Sequence, residues 1–138
     1  MVYLDDLKET GFEVGWFKLL GKHGRAPDGR ECPRVNGAKV THSLFPHPKD
    51  KDFSFVTYRL DGQYTTFRAT AYNESNKLLT FEVLGDGKQL RLMRTDRFGR
   101  SESCDISVEG VQTLELRIHC KGSYESAWAW WIEPCLLK

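Results

Sequence analysis

The 138-residue sequence predicts an all-β fold, an antiparallel β-sandwich of jelly-roll type, on two observations. Most of the chain past residue 55 reads as short runs that alternate apolar and polar residues with period two, the mark of half-buried antiparallel strands. Asx-Gly dipeptides, Asp28-Gly29, Asn36-Gly37, Asp61-Gly62 and Asp86-Gly87, punctuate the runs and suit the positive-φ positions of tight turns. Many short strands separated by such turns read as a sandwich.

The runs come in order. Val56, Tyr58 and Leu60 share one face, with Thr57 and Arg59 opposite. Phe67, Ala69 and Ala71 alternate with Arg68 and Thr70, and Leu79, Phe81 and Val83 with Thr80 and Glu82. Leu90 and Leu92 are predicted inward, with Gln89 and Arg91 outward. Cys104, Ile106 and Val108 alternate with Asp105 and Ser107, and Leu114, Leu116, Ile118 and Cys120 with Glu115, Arg117 and His119. In the final run Ala127, Ala129 and Trp131 take one face and Trp128 and Trp130 the other. The only helical stretch predicted is short, about residues 4–9. Residues 21–51 are poor in pattern and rich in Gly, Pro and His, which reads as a long loop region, where binding residues concentrate.

Composition narrows the function. The length is that of one domain, residues 1–138, and the chain is long enough to bury a core without staples. Hydrophobic residues make up 40% and charged residues 28%, with a net charge of +1. This balance predicts neither nucleic acid nor a membrane as partner, and no apolar run is long enough to span a bilayer. The N-terminus lacks the basic and apolar regions of a signal peptide. Met1 directly precedes the first strand-like residue, Val2, as expected of a domain excised from a larger protein; an intact cytoplasmic protein is the alternative. Cys32, Cys104, Cys120 and Cys135 show no C-x-x-C spacing. They permit two disulfides or four buried thiols, and Cys104 and Cys120 are expected as neighbouring core thiols on consecutive strands.

Laid out in this order, the chain resembles the novel putative carbohydrate-binding modules of the galactose-binding-like sandwich superfamily. The matching pieces span nearly the whole chain: Val2-Tyr3-Leu4-Asp5-Asp6-Leu7, Gly15-Trp16, Val35-Asn36-Gly37-Ala38-Lys39, His42-Ser43-Leu44-Phe45-Pro46-His47, Tyr58-Arg59-Leu60-Asp61-Gly62, Phe81-Glu82-Val83-Leu84-Gly85-Asp86-Gly87 and Val108-Glu109-Gly110-Val111. The resemblance implies a galactose-binding-like jelly roll that binds galactose-type glycan and catalyses nothing. It implies an appendage of an extracellular or cell-surface protein such as a glycoside hydrolase, with a structural calcium ion near the chain ends. Two segments depart from the family pattern: Asn73-Glu74-Ser75-Asn76-Lys77 is short where an acidic stretch is common, and the loop entering the last strand lacks the usual Asp-His pair.

Sugar recognition needs an aromatic ring against the C–H face of the pyranose and a few polar groups for the hydroxyls. Trp131 matches the family tryptophan and is expected inside, which turns Trp128 and Trp130 outward as stacking platforms; Tyr124, Trp16 and Tyr72 complete the aromatic supply. His47 and His42 are expected as hydrogen-bonding ligand residues, each weighed against a loop-fastening role, with Asn73, Glu74 and Arg34 from neighbouring loops. Asp5, Asp6 and Glu133 are expected to hold the calcium, against the alternative of plain surface carboxylates. A zinc set of His23, His42, His47 and Cys32 matches no standard spacing. No paired carboxylates in a cleft, oriented Cys–His pair, G-x-S-x-G elbow or phosphate loop supports an enzyme. The expected partners are glycan and a fused catalytic or surface domain, on a monomer. The second reading is a protein-interaction or structural sandwich without sugar binding.

Overall fold

A computed structural model describes the whole chain, Met1–Lys138. Eleven strands run in chain order: β1 Val2–Tyr3, β2 Gly11–Glu13, β3 Gly21–Lys22, β4 Ser43–Phe45, β5 Phe53–Arg59, β6 Thr66–Glu74, β7 Leu79–Gly85, β8 Lys88–Thr95, β9 Arg100–Ser107, β10 Thr113–Cys120 and β11 Trp128–Leu137. They form two antiparallel sheets. One has the order β3-β4-β11-β6-β9, with β1 also paired to β11; the other is β2-β5-β10-β7-β8. The predicted sandwich is therefore present, and the predicted short helix shrinks to a single 3-10 turn at Leu4–Asp6.

Period-two alternation places the core. Phe67, Ala71 and Trp131 from the first sheet meet Val56, Tyr58, Phe81, Leu116 and Ile118 from the second, all essentially inaccessible to water. The indole of Trp131 packs edge-on against Phe81 at 5.2 Å. At Asn36-Gly37, Asp61-Gly62 and Asp86-Gly87 both residues have positive φ, the geometry that matches a tight turn to the twist of flanking strands.

Three expectations change. In β8 the ladder with β7 steps from Val83–Arg91 to Leu84–Gln89, so Leu90 is a bulge residue. An extra residue inverts the alternation beyond it: Arg91 and Met93 take the core side of the edge strand and Leu92 the outer side. Arg91 reaches Glu102 of β9 at 3.9 Å, linking the free edges of the two sheets. Cys104 and Cys120 are not on paired strands: β9 pairs with β6 in one sheet, and β10 with β5 and β7 in the other. All four cysteines are free and buried. Finally, Trp130 faces away from the main core as expected but is not exposed. The segment joining β3 to β4 folds over that outer face and seals it with Ala26, Cys32 and Val40, beside Phe45 of β4 and Ile132 of β11.

Beyond Ile132 the register of β11 slips past Glu133 and Pro134. Glu133 takes a positive φ of 49° and sends its N–H to the His42 carbonyl at 2.9 Å. Pro134 has no N–H to leave unpaired, so the strand bends here without a buried orphan donor. β4 pairs with β11 before the slip and β1 pairs with it after.

Candidate functional site

Three loops meet at the end of the sandwich where β11 begins: residues 14–20, 46–52 and 121–127. Gly15 N–H donates to the His47 carbonyl at 2.7 Å, Lys51 N–H to the Gly122 carbonyl at 3.0 Å, and Tyr124 N–H to the Asp50 carboxylate at 3.0 Å. Gly15 is demanded by this lacing, since a Cβ there would collide with the Pro48 carbonyl oxygen and touch Tyr124. The aromatic rings continue it. His47 lies edge-on to Tyr124 at 5.6 Å, and Tyr124 lies edge-on to Trp16 at 5.9 Å and 76°. Trp16 ends the series 63% exposed. In the same loop Val14 and Lys18, with Phe12, Glu13 and Lys49, line a shallow hollow of about 300 Å³, of which the Trp16 ring is not a wall. Lys49 pairs with Glu13 at 3.0 Å.

The residues expected to bind ligand distribute otherwise. His47 is buried, with Nδ1 2.9 Å from the Pro48 carbonyl. Burial pushes its pKa down, and the bond to the carbonyl opposes that only in part, so the ring is a neutral donor fastening the loop. Trp130 donates its indole N–H to Glu74 at 2.8 Å and is wholly enclosed, which takes both out of the role of open platform and free hydrogen-bond partner. Trp128 is half-buried and one face is capped by the Arg30 guanidinium at 3.4 Å, a cation–π contact. Tyr72 is half-buried against the same cluster. Asn73 is fully enclosed: its amide donates to Lys77 and Thr95 and its oxygen accepts from Ser75, pinning the turn between β6 and β7. Arg34 donates to the Gly37 carbonyl at 3.2 Å on the exposed loop. His42 stacks on Tyr3 at 3.8 Å and faces the Asp5 carboxylate.

A family model described as the NPCBM/NEW2 domain matches residues 1–137. The chain belongs to the NPCBM/NEW2 family. It is a non-catalytic carbohydrate-binding module. No curated protein matches. Among solved structures, the CBM51 domain of GH95 from Clostridium perfringens, in complex with methyl-galactose, is 19% identical with a TM-score of 0.81, over 98% of each chain. The CBM51-2 and INT domains of ZmpB from the same organism are 17% identical with a TM-score of 0.79, covering 97% of this chain and 30% of that one. The structure of the ZmpB M60 catalytic domain with its CBM51-1 and CBM51-2 domains is 19% identical with a TM-score of 0.78, covering 99% and 15%. This chain thus spans under a third of the two ZmpB chains, and the likeness establishes the shared antiparallel sandwich fold.

Of the three residues expected to hold calcium, Asp5 and Asp6 fall in one cluster that brings ligand-type atoms within 4.8 Å of one another: Asp5, Asp6, His23 and His42. Asp5 is its buried hub. One oxygen accepts Ser43 N–H at 2.9 Å and lies 3.3 Å from His23 Nδ1; the other lies 3.0 Å from His42 Nδ1. Calcium takes about six to eight oxygen ligands. Half of this donor set is imidazole, the Asp5 oxygens already accept hydrogen bonds, and Glu133 is not in the cluster, so the residues do not fit calcium. The zinc set that the sequence spacing argued against is split: His23 and His42 come together, while His47 packs with Phe17, Phe45 and Tyr124 and Cys32 with Trp130.

Trp16 was the aromatic that composition counted without placing. Its signal was local. Gly15-Trp16 falls after a short strand, in a loop with Lys18 and Leu19 and outside any period-two run.

Proposed function

We propose that this module binds galactose-type saccharide at the Trp16 rim and so holds an attached catalytic or surface domain against glycan, outside the cell. One observation carries the reading: an exposed indole, braced edge-on by Tyr124, stands on the loop whose Lys18 lines, with Glu13 and Lys49, a shallow hollow open to hydroxyls. A pyranose stacks its C–H face on such a ring, and the charged groups orient it. The solved relative holding methyl-galactose and the ZmpB structure carrying an M60 catalytic domain support the sugar class and the attached enzyme. Affinity is modest because the hollow is open to water. We read the Asp5 cluster as a hydrogen-bonded latch that ties residues 4–6 to β4 and the loop before it.

The test is calorimetric titration with methyl-β-galactoside. Trp16→Ala loses binding at least tenfold with little change in melting temperature. Retained binding by that variant together with loss on Trp128→Ala moves the site to the Arg30-capped patch. A blank glycan array with concentration-dependent association favours a protein-contact surface built on Trp16 and Leu19, the latter 60% exposed.

A further inference from the structure

The outer faces of the two sheets differ. The first sheet is covered around Trp130 by the segment between β3 and β4, whereas no segment folds across the centre of the second. Alternation should leave that bare face uniformly polar. Instead Phe53 and Phe55 of β5 and Leu92 of β8 sit on it, half-buried, with His119 of β10 tilted against Phe53 at 5.2 Å. The Arg117 guanidinium lies 4.5 Å from the Phe53 ring centre. Leu92 is there because of the bulge at Leu90.

A groove of about 410 Å³ opens on this face, with Phe53 and Leu92 among its walls. Its charges are unbalanced. Glu82 is engaged by His119 at 2.8 Å, and Asp52 accepts the Phe53 N–H and lies 3.9 Å from Lys49. Lys51, Arg94 and Lys121 also border the groove, and none of them forms a salt bridge. Unpaired cations around a mostly polar groove that also exposes Phe53 and Leu92 attract a ligand with both a flat apolar face and negative charge.

We propose that this face is a second saccharide site, selective for anionic oligosaccharides bearing carboxylate or sulfate. Lys51, Arg94 and Lys121 contact the acidic groups, Phe53 and Leu92 take the ring faces, and Thr80 and Glu82 serve hydroxyls. That the anion is a sugar rests on the module's carbohydrate-binding role; the position of the site does not depend on the Trp16 rim.

Amide chemical-shift titrations of the ¹⁵N-labelled domain distinguish the two. The probes are tetragalacturonate, a chondroitin sulfate tetrasaccharide and methyl-β-galactoside. At least one acidic oligosaccharide should shift residues 53, 80, 92 and 119, in the wild type and in Trp16→Ala alike. Its affinity should fall at least threefold between 50 and 200 mM salt, as screening requires, and at least fivefold in Arg94→Gln/Lys121→Gln. Response to the galacturonate alone assigns the carboxylate class, and to the chondroitin fragment alone the sulfate class. No shift on this face with either acidic probe, shifts confined to the Trp16 rim, or an affinity indifferent to salt overturns the proposal. Failure with methyl-β-galactoside bears only on the rim.

Discussion

The buried carboxylate of Asp5 accepts the backbone N–H of Ser43 at 2.9 Å, joining the first turn of the chain to β4. The other oxygen faces His42, and His23 closes the cluster from the solvent side. Removing the carboxylate strands the enclosed Ser43 N–H and takes a partner from the half-buried His42, while the exposed His23 keeps water. Asp5→Ala should therefore lose about 3 kcal/mol of stability, measured by urea unfolding. A chelator such as EDTA should leave the melting temperature of the wild type unchanged. A fall on chelation, reversed by added calcium, would contradict the latch, because a ligand of the native state must raise that temperature.

His47 should make the module acid-sensitive. Burial holds its folded-state pKa below the unfolded value of about 6.5. Above that value neither state carries the proton and stability is unaffected. As pH falls below it the unfolded chain takes up a proton that the native state resists, so stability drops until pH passes the folded-state pKa. The slope is at most about 1.4 kcal/mol per pH unit for one group. Thermal melts between pH 7 and 5 should show a shallower decline for His47→Phe than for the wild type.

Tyr58 buries its hydroxyl in the core with no hydrogen-bond partner, and burial pushes its pKa up. An unsatisfied buried hydroxyl is destabilising by about 1–3 kcal/mol. Tyr58→Phe removes the group and keeps the ring, so it should be neutral to stabilising by about 1 kcal/mol. A loss of more than that would reveal an undetected partner for the oxygen.

The four thiols should be silent in the native state. Burial pushes Cys32 up to about 12 and Cys104 up to about 11, and raises Cys120 and Cys135 as well. The nucleophilic form is the thiolate. At pH 8 a chromogenic disulfide reagent should label less than one thiol per native chain and four in urea, and reductant should leave the melting temperature unchanged.

The strands and their inward faces were legible because period two is written residue by residue. Val56 and Tyr58, Phe67 and Ala71, and Leu114 through Cys120 all point as the alternation says. Leu92 was not legible, since a bulge is a property of two paired strands and the sequence shows only one. Trp130 failed for a related reason: alternation says which side of a sheet a ring takes, not whether 20 irregular residues will fold across that side. Asn73 looked like an exposed loop amide, and only the neighbouring Thr95 of β8, 22 positions away, turns it into a structural clamp. The candidate site was therefore legible as an end of the sandwich and as a residue chemistry, with the particular ring decided by packing.

β11 runs from the Trp16 end of the sandwich to the opposite one, where Leu136 pairs with Val2. Ten residues at about 3.3 Å each separate these ends by roughly 30 Å. Anything spliced to either extremity of the chain hangs from the far pole, like a rope from the stern of a boat whose bow meets the quay. A tether there neither shades the exposed indole nor needs a particular length, so companions of many sizes can trail behind one docking orientation.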